Sequence, residues 1–364
     1  MTSNPDIIVI GGGIMGASTA LRLAEGGMHP LLLERGDIGQ GASGVNAGTL
    51  SLQIKRVALM DYALRGYDLW RSMGAAVGFH CTGGYTLAFT PDEAEMLETR
   101  QRLKREAGAP IRFVTPAELR IAEPLLSDKV VAASHCPLDG YANSSLTGQY
   151  FRTRLKQAAI PYREACAVEI IHRDDPGFTL QTTQGRFQTP RILLAAGGWL
   201  APMTDMLGTP LPVHARINTV TVTERLPRLT TTVIGHATGL LTMKQKPNGT
   251  MLIGGGWQGQ GTPWEGRGRV SAESVIGNLA LARFVLPALG TARALRSWTG
   301  FEAHVPDFYP LAGALPSIEG AFVLGCVRGG YTIGPYIGRL MGDFILGREP
   351  ELPLFDPGRR FEEN

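Results

Sequence analysis

The feature that most constrains the fold of this chain is a glycine-rich turn directly after its first apolar segment. Residues 6–10 form a short β-branched run typical of a parallel strand buried on both faces, and Gly11, Gly13 and Gly16 follow as G-x-G-x-x-G. Residues 17–25 then predict a helix. Gly11 allows a sharp strand-to-helix turn, Gly13 lets a pyrophosphate approach the backbone, and Gly16 permits close packing of the helix on the strand. The pattern predicts that the amino end of this helix binds phosphate groups.

A second strand with an acidic end favours dinucleotide binding. The apolar residues Leu31–Leu33 run directly into Glu34, close to the offset of about 20 residues at which such folds place a ribose-binding carboxylate. A carboxylate there accepts hydrogen bonds from the ribose hydroxyls and repels a 2′-phosphate. The alternative is an ordinary β-α-β turn, but strand, helix, second strand and terminal acid occur in the expected order. The first segment is therefore predicted to bind a dinucleotide.

The composition fits a large folded protein. The chain has 364 residues, of which 44% are apolar and 18% charged, and this excludes a disordered chain. Its 35 basic and 32 acidic residues are scattered, so the net charge of +3 gives no case for nucleic acid or an anionic membrane surface. The four cysteines form no C-x-x-C pair and the histidines show no metal-ligand spacing, so no metal site is expected. Because the sequence has neither a signal-peptide pattern nor an apolar stretch of membrane-spanning length, a cytoplasmic protein is expected.

The later part of the chain has the pattern of an antiparallel sheet. Residues 218–224, 240–246 and 251–255 are rich in β-branched residues and turns, and Asn248-Gly249 is the dipeptide of a tight hairpin. Residues 271–289 predict a helix behind this sheet. The pattern predicts a strand-rich domain that interrupts the nucleotide-binding one.

Several segments together resemble one enzyme family. Residues 41–50 form a loop of small residues that is too glycine-rich for a strand, and with this loop residues 6–50 resemble the amino-terminal fingerprint of the FAD-dependent D-amino-acid oxidase superfamily. That family includes glycine oxidase, sarcosine oxidase and D-amino-acid dehydrogenases. Residues 191–199, 298–310 and 329–335 resemble further segments of the family and occur in the family's order.

The resemblance implies an α/β fold, in which a Rossmann-type FAD-binding domain carries an inserted antiparallel-sheet substrate domain. The FAD-binding domain would be discontinuous and comprise residues 1–80, 145–209 and 320–364. The substrate-binding domain would comprise residues 81–144 and 210–319. Relatives that attach flavin covalently do so through a cysteine in a stretch that contains none here, so the FAD is expected to be non-covalent.

The resemblance also assigns the residues expected to contact FAD. They are Gly11, Gly13, Ile14, Met15 and Gly16 at the pyrophosphate, Glu34 and Arg35 at the ribose, Ala42, Ser43, Asn46, Ala47, Gly48 and Leu50 along the phosphate and the isoalloxazine edge, Val168, in a strand expected over residues 165–169, at the adenine, Gly197 in the second nucleotide-side turn, and Arg328, Gly329, Gly330, Tyr331, Thr332 and Ile333 beside the N1–O2 edge of the flavin.

Four residues are candidates for the substrate side: Arg328, Glu302, His304 and Lys244. In glycine oxidase and D-amino-acid oxidase an arginine clamps the substrate carboxylate at the position that corresponds to Glu302. The Gly-x-Glu pattern here is most similar to the small subunits of opine and D-hydroxyproline dehydrogenases. Arg328 either binds the substrate anion in place of that arginine or braces its own loop by a salt bridge. Glu302 and His304 are two residues apart and so lie on one face of a strand. They form either an active-site pair or an ordinary buried hydrogen-bonded pair. Lys244 faces either the flavin or solvent.

The resemblance implies a FAD-dependent oxidoreductase that oxidises the C–N bond of a small amino acid or a secondary amine such as iminodiacetate, sarcosine, glycine or an opine. Hydride transfer to the N5 atom of flavin would give an imine that water hydrolyses. Three alternatives stay open: the catalytic subunit of a multi-subunit dehydrogenase that passes electrons to a partner subunit and not to oxygen, a NAD-dependent dehydrogenase, and a flavin-holding assembly component. A homo-oligomer is also compatible with the sequence.

Overall fold

The first strand, turn and helix form in the predicted order. The structure is a computed structural model that describes residues 4–266, 268–326 and 329–362. The β-branched run is a fully buried strand at Ile7–Ile10, and the helix runs over Ile14–Glu25. This helix begins three residues earlier than the sequence predicts, because Gly13 already takes the extended backbone conformation of an N-cap, with φ −67° and ψ 174°.

The strands within the described ranges are β1 (Ile7–Ile10), β2 (Pro30–Leu33), β3 (Thr49–Leu50), β4 (His80–Cys81), β5 (Gly84–Ala88), β6 (Arg112–Val114), β7 (Ala132–Cys136), β8 (Gly140–Tyr141), β9 (Tyr162–Arg163), β10 (Val168–Asp174), β11 (Gly177–Thr182), β12 (Gly185–Thr189), β13 (Ile192–Leu194), β14 (His214–Arg225), β15 (Val233–His236), β16 (Thr242–Gln245), β17 (Thr250–Gly254), β18 (Ala294–His304), β19 (Leu311–Ala314) and β20 (Ala321–Gly325).

The α-helices in the same ranges are α1 (Ile14–Glu25), α2 (Ala42–Val45), α3 (Met60–Met73), α4 (Pro91–Glu106), α5 (Pro116–Ala122), α6 (Ser144–Gln157), α7 (Leu200–Met206), α8 (Ala272–Val285) and α9 (Gly330–Ile345). Short 3₁₀ turns lie at Val57–Leu59, Gly74–Val77, Gly197–Trp199, Pro263–Glu265 and Pro287–Thr291.

The chain divides into two compact units, and each is built from segments that are distant in sequence. The first unit comprises Met1–Val45, Ser144–Arg216 and Phe301–Asn364, and the second comprises Asn46–Asn143 and Ile217–Gly300. Residues 46–80 thus fall in the second unit, and residues 144, 210–216 and 301–319 fall in the first, whereas the sequence segmentation places each of these stretches in the other domain. The functions assigned to these two domains stay predictions.

A mostly parallel sheet forms the centre of the first unit. Its strand order is β19-β20-β13-β1-β2-β9, and β1 pairs in parallel with β13 on one side and β2 on the other. Only β19, at the edge, is antiparallel to its neighbour β20. Because β1, β13 and β20 are adjacent and parallel, their carboxyl ends meet at one edge of the sheet, where open α/β sheets bind their ligands.

Glycines on α9 let it lie directly against α1. A Cβ atom at Gly338 would lie 2.7 Å from the carbonyl oxygen of Met15, and one at Gly342 would lie 2.7 Å from the Cβ of Arg22. The Thr19 hydroxyl donates a hydrogen bond of 2.9 Å to the carbonyl oxygen of Gly338. Since the residue numbers of the contacting positions increase in the same direction along both helices, α1 and α9 run parallel. Their amino ends therefore point to the same edge of the sheet.

The second unit is built on an eight-stranded sheet with the order β18-β14-β17-β16-β15-β5-β7-β6. The hairpin predicted at Asn248-Gly249 is confirmed, because β16 and β17 pair antiparallel across it and Gly249 has a φ of +88°. The sheet is mixed and not purely antiparallel as expected, since β15 pairs in parallel with β5. Its core side carries Met243 and Ile253, which lie in one hydrophobic cluster with Val285 of α8.

Three local predictions need correction. Residues 41–50, expected as a loop, contain the short helix α2 and the strand β3. The strand expected over residues 165–169 begins only at Val168, because Ala165 takes a left-handed backbone with φ +53°. The helix expected over residues 271–289 ends at Val285 and continues as a 3₁₀ turn at Pro287–Thr291.

The contact between α1 and α9 gives a direct stability prediction. Gly338→Leu is expected to lower the free energy of unfolding by roughly 2–4 kcal/mol, because its side chain meets the Met15 backbone, which cannot move aside. Arg339→Leu is the matched control, since Arg339 is the next residue of α9 and is exposed. Urea unfolding of both variants measures the difference. Equal stability of the two variants would show that the helices tolerate a wider separation.

Candidate functional site

The turn between β1 and α1 has the shape of a phosphate cradle. Gly11 has a φ of +115°, and a Cβ atom there would collide with the carbonyl oxygen of Ala195 in the neighbouring turn after β13. A Cβ atom at Gly16 would collide with the carbonyl oxygen of Gly11. Both positions therefore require glycine, as the G-x-G-x-x-G pattern predicts.

The amino end of α1 is contacted by a residue from another segment of the same unit. The amide of Ile14 donates a hydrogen bond of 3.0 Å to the Ser43 hydroxyl, and a Cβ atom at Gly13 would lie 3.3 Å from that hydroxyl. The first turn of α1 carries no acidic residue, and no side chain of its N-cap forms a capping hydrogen bond. The positive end of the helix dipole is thus available to a bound phosphate.

Glu34 lies at the end of β2 and contacts the glycine turn itself. Its carboxylate accepts a hydrogen bond of 2.7 Å from the amide of Gly12 and one of 2.8 Å from the amide of Gly36. Burial raises the pKa of the Glu34 carboxyl above its ordinary value, and the two amides oppose this shift. The residue predicted to hold the ribose therefore also fixes the turn that would hold the phosphates.

Arg35 and the turn after β13 form an aromatic–cation contact next to this cradle. The guanidinium carbon of Arg35 lies 4.3 Å from the centroid of the Trp199 ring. Gly197, at the start of the turn, has a φ of +56°, which glycine adopts readily. The indole ring of Trp199 in turn contacts Phe301 edge-on, with centroids 5.4 Å apart.

The residues before Val168 lie along the end of β2. The amide of Cys166 donates a hydrogen bond of 2.8 Å to the carbonyl oxygen of Glu34, and the amide of Ala165 donates one of 2.9 Å to that of Gly36. Val168, predicted at the adenine, follows two residues later as the first residue of β10 and is half-buried. The structure thus gathers Glu34 and the segment leading to Val168 within the first unit.

A second helix amino end lies at the same edge. Gly329, with φ +63°, precedes α9, and its amide donates a hydrogen bond of 2.8 Å to a carboxylate oxygen of Glu302. Tyr331 in the first turn of α9 shares a hydrogen bond of 2.7 Å with the Thr147 hydroxyl, and burial raises the pKa of the Tyr331 phenol. Arg328, predicted to contact the flavin and to bind the substrate, lies outside the described residues.

The residues of the first unit fit a bound FAD. Two parallel helices present positive amino ends to one edge of the sheet. The glycine turn lets the pyrophosphate of the ligand approach the backbone closely. When bound there, FAD supplies an isoalloxazine ring that accepts two electrons.

Four of the predicted cofactor residues belong to the second unit. Asn46 accepts a hydrogen bond of 2.6 Å from the amide of Gly48, and the carbonyl oxygen of Gly48 accepts one of 2.9 Å from the amide of Ala142. Gly48 has a φ of +72°, and Leu50 is buried. Ala47 lies within this same turn and is half-buried. The segment is therefore a rigid turn, and its role toward the flavin stays a prediction.

Lys244 is buried and does not face solvent. Its side-chain nitrogen donates a hydrogen bond of 2.6 Å to the Thr49 hydroxyl, and the residue is 1% exposed. Burial lowers the pKa of Lys244 to about 7, and the nearby charge of Lys246 adds to the shift. Lys246 lies with its nitrogen 4.0 Å from the centroid of the Tyr141 ring, and burial lowers its pKa to about 8. Lys246, Tyr141 and Thr49 were not predicted from the sequence, although the i, i+2 spacing of the two lysines in an extended segment indicates a shared face.

Glu302 and His304 have different neighbours. Glu302 accepts a hydrogen bond from the amide of Gly329, as described above. The ring of His304 stacks on Phe308 with centroids 5.0 Å apart and lies 5.6 Å from the ring of His214. Both residues lie on β18 with half-buried side chains. Their function as an active-site pair stays a prediction.

Two further searches concern only the described part of the chain. Across residues 4–266, 268–326 and 329–362, no three His, Cys, Asp or Glu side chains come together in a way that could ligate a metal ion. Over the same ranges, each helix is too short or too polar to traverse a lipid bilayer.

Comparison with known proteins places the chain in a family. Residues 6–344 match the family model of DAO, FAD dependent oxidoreductase. The chain is 29% identical over 368 residues to glycine oxidase of Geobacillus kaustophilus (strain HTA426), an alignment that covers 97% of this chain and 96% of the relative. It is also 29% identical over 378 residues to one of the subunits of the opine oxidase of Rhizobium meliloti, with 98% of each chain covered. The crystal structure of glycine oxidase from Geobacillus kaustophilus superposes with a TM-score of 0.90 at 26% identity, and covers 99% of this chain and 100% of that one.

The chain therefore belongs to the DAO family of FAD-dependent oxidoreductases. It is an enzyme that uses FAD, and its fold is the α/β fold of that family with a Rossmann-type FAD-binding domain. The alternative of a NAD-dependent dehydrogenase is wrong, because the family uses FAD.

The contacts of Glu34 predict its effect on FAD binding. Glu34→Gln is expected to weaken FAD binding about 10- to 100-fold, because a side-chain amide group then faces the amide of Gly12 or Gly36. The dissociation constant is measured by fluorescence titration of the apoprotein with FAD. Glu25→Gln, at the opposite end of α1 and exposed, serves as control and should bind FAD normally. An equal affinity of the two variants would contradict the assignment of Glu34.

The buried amine of Lys244 predicts a pH-dependent stability. Lys244→Met is expected to stabilise the protein at neutral pH by roughly 1–3 kcal/mol, because methionine needs no desolvation of a charge. The lysine loses its proton near pH 7 in the folded protein, whereas the unfolded chain keeps it up to about its ordinary pKa of 10.5. Between these two pKa values the free energy of unfolding of the wild type therefore rises with pH, while that of the variant does not gain this contribution. The difference in stability between variant and wild type becomes smaller as the pH rises.

Urea unfolding of wild type and Lys244→Met at about pH 6 and about pH 9 measures this change. Lys156→Met, which replaces an exposed lysine of α6, should show no such pH dependence. A stability difference that is the same at both pH values would mean that Lys244 stays charged in the folded protein.

Proposed function

We propose that the protein oxidises the C–N bond of a small amino acid or an N-substituted amino acid, with a secondary amine as its preferred substrate. The observation that carries the proposal is the near full-length likeness both to a glycine oxidase and to one component of an opine oxidase. Glycine is a primary amino acid and opines are N-substituted amino acids, so the two names together bracket this substrate class.

The reaction needs few groups from the protein. Bound FAD would take up the two electrons of the amine oxidation, and water would hydrolyse the imine formed from the substrate to a carbonyl compound and an amine. The protein must orient the C–H bond and hold the amine in its neutral form. We propose that Glu302 positions the start of α9 through the amide of Gly329, and that Arg328 and His304 act on the substrate side.

A second candidate function concerns the electron acceptor. The Rhizobium meliloti relative is named as one of the subunits of an opine oxidase, and the alignment with this chain covers 98% of that relative. This likeness favours a catalytic subunit that works with a partner subunit. In this second candidate the partner subunit, and not oxygen, takes the electrons. The two candidates share the amine oxidation step and differ only in how FAD is reoxidised.

Anaerobic reduction of the bound flavin tests both candidates. The FAD-loaded protein is mixed with glycine, sarcosine, iminodiacetate, an opine and D-hydroxyproline, and the flavin absorbance is followed. We expect a secondary amine with a carboxylate to bleach the flavin, whereas dimethylamine, which has no carboxylate, leaves it oxidised. Air is then admitted.

The response to air separates an oxidase from a dehydrogenase. Rapid recolouring with formation of peroxide identifies an oxidase, and bleaching that persists identifies a dehydrogenase that needs a partner. If none of the amines bleaches the flavin, the proposed substrate class is wrong.

A further inference from the structure

Two lysines project from the same face of one strand in the second unit. In β16 and its continuation the side chains alternate, so Lys244 and Lys246 share one face, while Met243 lies on the opposite, core side. We call Lys244 and Lys246 the lysine pair. Lys244 is buried and Lys246 is half-buried.

The small sheet of β3, β8 and β4 supplies the other side of this cluster. Tyr141 of β8 is paired with Thr49 of β3 and with His80 of β4, whose ring lies 4.8 Å from that of Tyr141. The nitrogens of Lys244 and Lys246 lie 5.9 Å and 4.0 Å from the centroid of the Tyr141 ring. All five side chains belong to the second unit, so the cluster is complete within it.

A buried carboxylate ties the chain segment before Tyr141 to the segment that follows Thr49. Asp139, two residues before Tyr141, accepts hydrogen bonds of 2.5 Å from the Ser51 hydroxyl, 2.8 Å from the amide of Leu52 and 3.0 Å from the side chain of Gln53. Its two oxygens are therefore engaged by neutral donors. The backbone of Tyr141 is in turn paired on both sides, with Thr49 and with His80, so the ring projects from an ordered strand.

The lysine pair lacks a negative partner in the part of the chain that the structure describes. There, Lys244 has one hydrogen-bond acceptor, the Thr49 hydroxyl, for its three N–H donors, and neither lysine forms an ion pair with Asp or Glu. A buried amine without a counter-charge is costly, and titratable groups perturbed in this way cluster at functional sites. With pKa values of about 7 and about 8, the pair together carries about one positive charge near pH 7.5.

We propose that Lys244 and Lys246 bind a carboxylate group of the substrate. This inference rests on the proposed function, since it is the amino or N-substituted amino acid that brings the carboxylate. One carboxylate matches the charge of the lysine pair. Its oxygens accept hydrogen bonds from the N–H groups of Lys244 that are not bonded to the Thr49 hydroxyl. The Tyr141 ring covers the lysines and limits the access of water. The lysine pair therefore selects free acids over esters, amides and simple amines.

The test compares substrate binding in three variants of the FAD-loaded protein. Lys244→Met and Lys246→Met each remove one ammonium group, and Lys156→Met, on the exposed face of α6, is the matched control. For the amine that bleaches the flavin, KM is measured with the free acid and with its methyl ester. We expect KM for the acid to rise about 10- to 100-fold in both lysine-pair variants, with no change for the ester or in the control.

A second measurement does not depend on turnover. The thermal stabilisation of each FAD-loaded protein by acetate and by malonate is compared with that by chloride at equal ionic strength. We expect carboxylates to stabilise the wild type and the control, and to lose this effect in Lys244→Met and Lys246→Met. The second variant keeps the test valid if the first disturbs folding, since Lys246 is only half-buried.

The outcomes separate this proposal from the proposed function. Equal stabilisation of wild type and lysine-pair variants by carboxylates overturns the inference. Loss of carboxylate binding with an unchanged KM shows an anion site that is not the substrate site, and also overturns it. If no amine of the panel reduces the flavin, the proposed function fails by itself, and the stabilisation by acetate and malonate still decides whether the lysine pair binds carboxylates.

Discussion

The close contact between α1 and α9 is the constraint on which the cofactor site depends. Two helices that run parallel repel each other through their aligned dipoles, so they approach closely only where packing over their whole length compensates. Here Gly338 and Gly342 remove the side chains that would separate them, and the Thr19 hydroxyl bonds across the interface. The result is that two positive helix ends reach one edge of the sheet, where they favour negatively charged groups such as the pyrophosphate of a dinucleotide.

Local patterns made the nucleotide-binding elements predictable, while contacts between distant segments did not. Gly11, Gly16 and Glu34 follow from short motifs, because each meets a steric or charge requirement within a few residues of its own strand. The helix α2 was missed, since a helix of four residues leaves almost no periodic signal in a run of small residues. The parallel pairing of β15 with β5 joins residues about 150 positions apart, and no local pattern reports it.

The substrate side was less predictable for a further reason. Lys244 could be named as a candidate, but whether it faced solvent depends on Thr49 and Tyr141, which belong to strands far away in sequence. The structure shows a protein that gives up stability at this point, because a desolvated amine is less favourable there than an apolar side chain.

The interleaving of the two units also affects the order in which the protein is made. The chain passes from one unit to the other after residues 45, 143, 216 and 300, so neither unit is finished when the first of its segments leaves the ribosome. The helix α1 appears early, but its partner α9 is synthesised only after the whole second unit has been made. Until then the flank of α1 that packs against α9 is exposed on the nascent chain, and exposed apolar surface of this kind favours aggregation. Capture of FAD is therefore a late event, which follows translation of the last segment and marks the completion of the fold.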